Sequence, residues 1–316
     1  MNPKVSICIP TCNSEKYLVE SIESALKQSF SDFEILISDN CSSDNTQNII
    51  KEYASKDDRI IFIFNKKNIG MVNNWNSCLA RAKGEYIKFL FSDDTLSSDN
   101  ALEKMVTILN ADNEISLVAS ARNIIDEQSK KIDIRSRYAG NFKMSGKEII
   151  MDCLLRQSNK IGEPSVVMFR KKDSARGFLE KYKQLVDLEM WFNILEKGDF
   201  YYIDKPLSSF RIHSCQQTRI NIDNCDFIDD PALLLKDYLS KSYINYSNTK
   251  KRFACYVAAY DIWKLYRRHN LISKELATEK IKRLCGYGRG KLIYNYPFYR
   301  IYKLYSSARK RMTETS

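Results

Sequence analysis

Short apolar runs alternate with amphipathic stretches through the first 125 residues. Residues 5–10, 33–38, 60–64, 86–91 and 117–120 form apolar runs of strand length. Between them, residues 15–27 carry Leu18, Ile22, Ala25 and Leu26 on one helical face. Helices are likewise predicted around Ile49, Ile50 and Tyr53, over 71–81, and around Leu102, Met105, Val106 and Leu109, with Gly84 turning the chain into the fourth strand. Strands that are apolar throughout and separated by helices predict a mainly parallel α/β sheet of Rossmann-like type, covered on both faces. Such sheets bind ligands beyond the carboxyl ends of their strands, so polar residues just after strands are the first candidates for chemistry.

Beyond Ile125 the pattern changes. Residues 130–139 are polar and predict a mobile excursion. Ser145 suits the N-cap of a helix running to Leu155. Residues 165–169, 200–203 and 207–212 read as strands, with a helix over 188–197. From about Asn221 the chain reads as helices, near 232–240, 250–269, 274–284 and 297–311. The expected organisation is a catalytic domain over 1–220 and a basic, Tyr-rich helical region over 221–316.

Charge sharpens that division. Residues 1–230 hold 31 Lys and Arg against 34 Asp and Glu, and residues 231–316 hold 19 against 5; balances of −3 and +14 make up the net +11. The second segment also holds 12 of the 19 tyrosines. A basic, aromatic tail suits an anionic surface. In residues 297–311, Phe298, Ile301, Tyr302, Tyr305 and Ala308 share a helical face that Arg300, Lys303 and Lys310 avoid, which fits either a helix lying on an anionic membrane or one packed on a core. No helix-turn-helix, zinc-finger or RNA-binding signature accompanies the charge, so nucleic acid is not expected. The nine cysteines include no CxxC pair, which suggests neither zinc nor redox chemistry and fits a reducing compartment. No charged leader precedes the first strand, and no run approaches the ~18 apolar residues of a membrane-spanning helix. The expected setting is the cytoplasm, free or peripheral on the inner face of the cell membrane.

Five constellations could carry chemistry. Pro10-Thr11-Cys12-Asn13 follows the first strand, and Ser38-Asp39-Asn40 with Ser42-Ser43-Asp44 follows the second. A carboxylate such as Asp39 can accept the imide N–H of a pyrimidine, while Ser43 and Asp44 equally suit helix capping. Asp93 and Asp94 after the fourth strand could share a divalent cation with a diphosphate, or simply form a turn. Asp187 could be a general base or the N-terminal cap of its helix. Arg211 and His213 follow a strand; the histidine could be structural, and the arginine suits phosphate.

Taken in order, these residues resemble the family 2 glycosyltransferases, inverting enzymes of the GT-A fold that often build bacterial surface polysaccharides. The resemblance runs from about Lys4 to Thr218. It rests on the opening strand with Pro10-Thr11-Cys12-Asn13, on Gln28-Ser29 followed by Glu34-Ile35-Leu36-Ile37-Ser38-Asp39, and on Asn68-Ile69-Gly70. Lys83-Gly84-Glu85-Tyr86, Ser92-Asp93-Asp94, Asp187 with Trp191, and Arg211-Ile212-His213 complete it. The resemblance implies that Pro10, Thr11, Asn13, Asp39, Asn68, Gly70, Asp93 and Arg211 contact the nucleotide-sugar, expected to be a UDP-sugar. It implies a Mn²⁺ or Mg²⁺ ion at Asp93, Asp94 and His213, without distinguishing which aspartate ligates, and Asp187 as general base. The implied acceptor is a saccharide hydroxyl, expected on a lipid-linked chain of O-antigen or capsule. Cys12, Phe91 and Val186 depart from the family's usual aromatic, first acidic and Glu positions. Two other functions compete: a non-catalytic sugar- or nucleotide-binding relative, and a nucleotidyltransferase, whose Gly-rich, Arg-containing loop is missing from residues 11–16.

Overall fold

The computed structural model describes residues 2–217, 220–221, 227–267 and 272–285. They form two compact units. Of the described residues, the first comprises those within 2–149, 161–181 and 186–214; the second comprises those within 150–160, 182–185 and 215–285.

The first unit is built on one sheet. Strands β1 (Val5–Thr11), β2 (Phe33–Asp39), β3 (Ile60–Phe64) and β4 (Tyr86–Phe89) alternate with helices α1 (Leu18–Leu26), α2 (Thr46–Ala54) and α3 (Met71–Arg81). Then follow β5 (Thr95–Leu96), α4 (Ala101–Ala111), β6 (Ile115–Ile125), β7 (Lys131–Arg135), β8 (Phe142–Met144), α5 (Gly146–Arg156, assigned to the second unit from Ile150), β9 (Val167–Arg170), α6 (Val186–Leu195) and β10 (Asp199–Arg211). The strand order is β3-β2-β1-β4-β9-β6-β10-β5, with β7 on β6 and β8 on β10. Strands β3, β2, β1 and β4 are mutually parallel, as are β6 and β10, whereas β9 runs antiparallel between β4 and β6. The carboxyl ends of β1, β2, β4, β6 and β10 therefore share one edge.

Both faces are covered because alternate side chains of each buried strand meet different helices. Val5, Ile7 and Ile9 join Ile35 and Ile37 in a core with Leu18 and Ile22 of α1, Ile50 of α2, and Leu102 and Met105 of α4. On the other face, Trp75 of α3 lies 6.4 Å from Phe89, and Trp191 of α6 lies 5.5 Å from Phe169. Gly84 enters β4 so tightly that a Cβ there would fall 2.4 Å from the Ser6 amide nitrogen.

Two expectations are corrected. Residues 130–139 are not simply a mobile excursion, because Lys131–Arg135 pairs antiparallel with β6. The Asp126 carboxylate makes this hairpin by accepting the Gln128 and Lys130 N–H groups, and Ile132 and Ile134 alternate with charged residues along β7, although all five of its residues are exposed. Residues 200–203 and 207–212 are not two strands but parts of the single strand β10. Its register against β6 shifts on both sides of Pro206, accommodating the proline as a bulge.

The second unit includes helices Asp230–Tyr238, Asn248–Arg267 and Lys274–Cys285, with Tyr256, Ala259, Tyr260, Ile262, Ala277 and Ile281 in a shared core. Within it, buried Asp230 accepts the successive N–H groups of Lys183, Gln184 and Leu185. The helix predicted over 297–311 lies outside the described residues. Among the described residues, no helix is long and apolar enough to cross a membrane.

Candidate active site

The parallel register of β1 and β2 sets Thr11 beside Asp39. Thr11 Oγ1 donates to Asp39 Oδ1 at 3.1 Å. The same carboxylate, fully buried, accepts from Ser42 N at 3.0 Å, Ser42 Oγ and Gln47 Nε2 at 2.8 Å. Asn13, in the left-handed region at φ 50°, donates its N–H to Ser42 Oγ and accepts Ser43 N on Oδ1. Asp44 caps the Thr46 and Glu15 N–H groups, so the first two strand-end loops form one hydrogen-bonded body. Cys12 is exposed on it.

Asn68 and Gly70 close the third side. Asn40 Nδ2 and Gly70 N both donate to Asn68 Oδ1, at 2.9 and 2.8 Å. Gly70 opens α3 at φ 85°, a conformation that a Cβ would strain. Asn74, buried one turn into α3, donates to Ser38 O and accepts Ser38 Oγ. Pro10 is buried in β1 opposite Ser38.

The acidic loop after β4 forms a second cluster. Asp93 Oδ2 lies 3.0 Å from His213 Nε2, and the histidine ring packs on Tyr17. Asp94 is buried, accepts the Arg211 N–H at 3.0 Å and bonds Ser165. Arg211 is wholly buried. Its Nε donates to Asp93 O, one terminal nitrogen to Asp126 O and Ser129 Oγ, and the other to Glu20. The guanidinium also lies 4.3 Å from the Tyr17 ring centre. The expectation that Arg211 is open to phosphate is corrected on this geometry, because its donors are spent bracing Asp93, the turn and α1. The two clusters are joined by a bond between Ser14 and Ser92, whose Oγ atoms lie 2.8 Å apart.

Asp187 stands in the first turn of α6, half-buried, with Leu188 N donating to its Oδ1 at 2.7 Å. Trp191, one turn on, donates Nε1 to Gly162 O at 3.0 Å. Three residues later, Ser165 Oγ accepts Phe91 N at 3.0 Å and bonds Asp94. The segment 162–165 therefore ties α6 to the acidic loop.

Beneath that loop lies Lys88, fully buried on β4, its Nζ donating to Ser165 O. Burial pushes its amine down to about 7, with nearby Asp94 opposing. Burial, then the neighbouring Asp93, pushes the Asp94 carboxyl well above its ordinary range. Because Lys88 binds its proton more weakly when folded, the unfolded chain holds the extra proton above about pH 7, and the fold gains stability as pH rises from there. Lys88→Met should abolish this rise and be the more stable protein near pH 7; urea midpoints of both proteins from pH 6.5 to about 10 test it, with parallel pH curves the contrary outcome.

The described residues contain no group of three or more His, Cys, Asp or Glu placed to hold a metal alone. The Asp93–His213 pair is the available donor set, and one or two protein donors suit Mg²⁺ or Mn²⁺ when diphosphate oxygens and water complete the shell. A cavity of about 1080 Å³ bounded by Lys4, Asp32, Glu85 and Lys171 lies at the amino ends of the strands, and none of the candidate site residues lines it. The strand-end rule favours the acidic edge over this hollow.

Residues 6–178 match Glycosyl transferase family 2. The chain belongs to this family. It is 26% identical over 213 residues to TuaG of Bacillus subtilis (strain 168), a glycosyltransferase named for teichuronic acid biosynthesis, covering 66% of this chain and 79% of that one. It is 30% identical over 204 residues to the glycosyltransferase EpsE of the same strain, covering 62% and 68%. Among solved structures it resembles S. aureus TarS 1–349 in complex with UDP-GlcNAc, with a TM-score of 0.67 at 20% identity over 89% of this chain and 81% of that chain. Mannosyltransferase PcManGT of Pyrobaculum calidifontis, with GDP-Man and Mn²⁺, gives 0.60 at 15% identity over 99% and 85%. At those identities the likeness speaks for the fold, which in this family 2 glycosyl transferase is GT-A.

Sequence reading of the family 2 glycosyl transferase missed Gln47, Asn74, Lys88, Glu20 and Ser165. Only Lys88 carried a signal, as a lone charge inside the apolar run 86–91.

Proposed function

We propose that this glycosyl transferase moves a sugar from a nucleotide-sugar, with UDP the nucleotide, to a saccharide hydroxyl, inverting the anomeric centre with Asp187 as general base. The observation that carries this reading is the joining of the Thr11–Asp39 loops to the Asp93–His213 loop, through Ser14 and Ser92, along one edge of the sheet.

Asp39 can take a pyrimidine imide N–H once Gln47 or Ser42 gives up its bond to the carboxylate. Asn68 and Gly70 shape the neighbouring loop, and Asn13 holds it in register with Ser43. Asp93 and His213 would hold a divalent cation, with Asp94 behind them fixing the loop through Arg211 N. Such a cation, when bound, neutralises charge growing on a departing diphosphate. Arg211 acts as a positioning residue for Asp93. An alcohol is a weak nucleophile near neutral pH, so a carboxylate that accepts its proton as the new bond forms speeds transfer by ~10²–10⁴-fold. Asp187 is half-buried at a helix start, where the backbone dipoles favour negative charge. The acceptor we infer is a lipid-linked chain in surface polysaccharide assembly, in keeping with the names of the relatives.

Incubated with a panel of UDP- and GDP-sugars and Mn²⁺, the protein should release nucleoside diphosphate steadily from at least one UDP-sugar, and EDTA should suppress the release. No release from any donor would favour the non-catalytic reading. Release indifferent to EDTA would remove the cation.

A further inference from the structure

Arg122 lies on β6, 3% exposed, opposite Arg135 of β7 and Ser208 of β10. Its terminal nitrogen is 2.5 Å from Glu163 Oε2, and Arg137 reaches the other oxygen of the same carboxylate at 3.5 Å. Two guanidiniums thus share one carboxylate. The third, Arg135, meets the exposed Asp133 at 3.7 Å. Asp204 of β10 accepts Ser136 Oγ and the Gly140 N–H, neutral donors that leave its charge in place. The Nε donors of Arg122 and Arg137 are both buried without a hydrogen-bond partner, and so is the Oε2 acceptor of Glu163. A buried donor left unmet is costly, and the one carboxylate set between these two guanidiniums leaves both Nε donors unserved, so a further acceptor group can meet them.

The cluster borders the acidic loop. Ser208 donates to Ser165 O, and Ser165 holds Phe91 and Asp94. Arg137 and Glu163 keep about a third of their side chains exposed, so a ligand can enter from their side. Arg122 is fixed behind them by Glu163 and the Phe210 ring.

We propose that Arg122 and Arg137, bridged by Glu163, form a subsite for an anionic group of the acceptor, a carboxylate or a phosphoryl group. The inference rests on the glycosyl-transfer reading of the acidic edge. Guanidinium forks match both anions, and the unmet Nε donors supply the added bonds. Glu163 occupies part of the same positive field, so it competes with the ligand.

The test uses full-length protein saturated with UDP and Mg²⁺, so that the diphosphate position is filled. Methyl β-glucuronide, methyl phosphate and methyl β-glucoside are titrated calorimetrically. One or both anions should bind and the neutral glucoside should not; which anion binds tighter separates a uronate from a phosphoryl acceptor. Arg137→Gln should weaken the anion by about tenfold or more, as loss of a charged hydrogen bond does. Glu163→Gln should tighten it, which a merely structural ion pair would not do. Melting curves confirm that the variants are folded. Failure of both anions to bind, or equal binding to wild type and both variants, overturns the subsite. UDP binding without anion binding rejects this inference alone, whereas anion binding without UDP binding rejects the donor reading.

Discussion

Asp187→Asn should cut turnover by roughly 10²–10⁴-fold, the usual contribution of a positioned base, while leaving UDP affinity and the unfolding midpoint at wild-type values. The separation follows from where the residue sits. Its Oδ1 accepts the Leu188 N–H, and an asparagine oxygen can keep that bond. The helix is held by other means: Trp191 bonds Gly162 and packs on Phe169, and Met190, Phe192 and Ile194 are buried. The substituted amide would therefore occupy the same place without a basic oxygen. None of the Asp39 or Asp93 partners involves α6, so donor affinity should be spared. Steady-state kinetics beside UDP calorimetry make the comparison; near-full turnover in a folded variant removes Asp187 from the chemistry.

Arg211→Met should destabilise the first unit by about 3–5 kcal/mol, the range for removing one partner of a buried ion pair. The guanidinium is fully buried, and its loss strands the Asp93 and Asp126 carbonyls, while Glu20 Oε2 and Ser129 Oγ keep only the bond they make to each other. Glu20 is partly exposed and can recover water, which puts the effect toward the lower end. Urea unfolding of the two proteins gives the difference directly. A diphosphate ligand on the open edge would behave otherwise, its substitution raising the donor KM with little change in midpoint. A stability loss well under ~1 kcal/mol with a large KM change would restore the phosphate role.

The apolar strands explain why the first half of the site could be read from residues alone. Once 5–10 and 33–38 are recognised as adjacent parallel strands, Thr11 and Asp39 must leave the sheet together, as their register shows. The same holds for Asp93 after β4. Arg211 was legible as a position but not as a buried brace, because a charged residue after a strand reads as surface. Its compensation comes from Glu20, 191 residues away in sequence. β7 escaped for the opposite reason: Ile132 and Ile134 alternate with charged residues, but both are exposed, and so short an alternation inside the polar stretch 130–139 reads as loop. Arg122 and Glu163 likewise pair across separate elements, and no local pattern announces them. The departure at Phe91 is absorbed by packing, since its ring lies 5.0 Å from Trp75 and its N–H is held by Ser165.

Diffraction from crystals grown with UDP and Mn²⁺, collected at the manganese edge, bears most directly on the shared acidic edge. The expected map has a manganese peak beside Asp93 Oδ2 and His213 Nε2, with the uracil lying against Thr11 and Asp39. A nucleotide seated instead in the hollow between Lys4 and Lys171, or a manganese peak remote from Asp93, would contradict it.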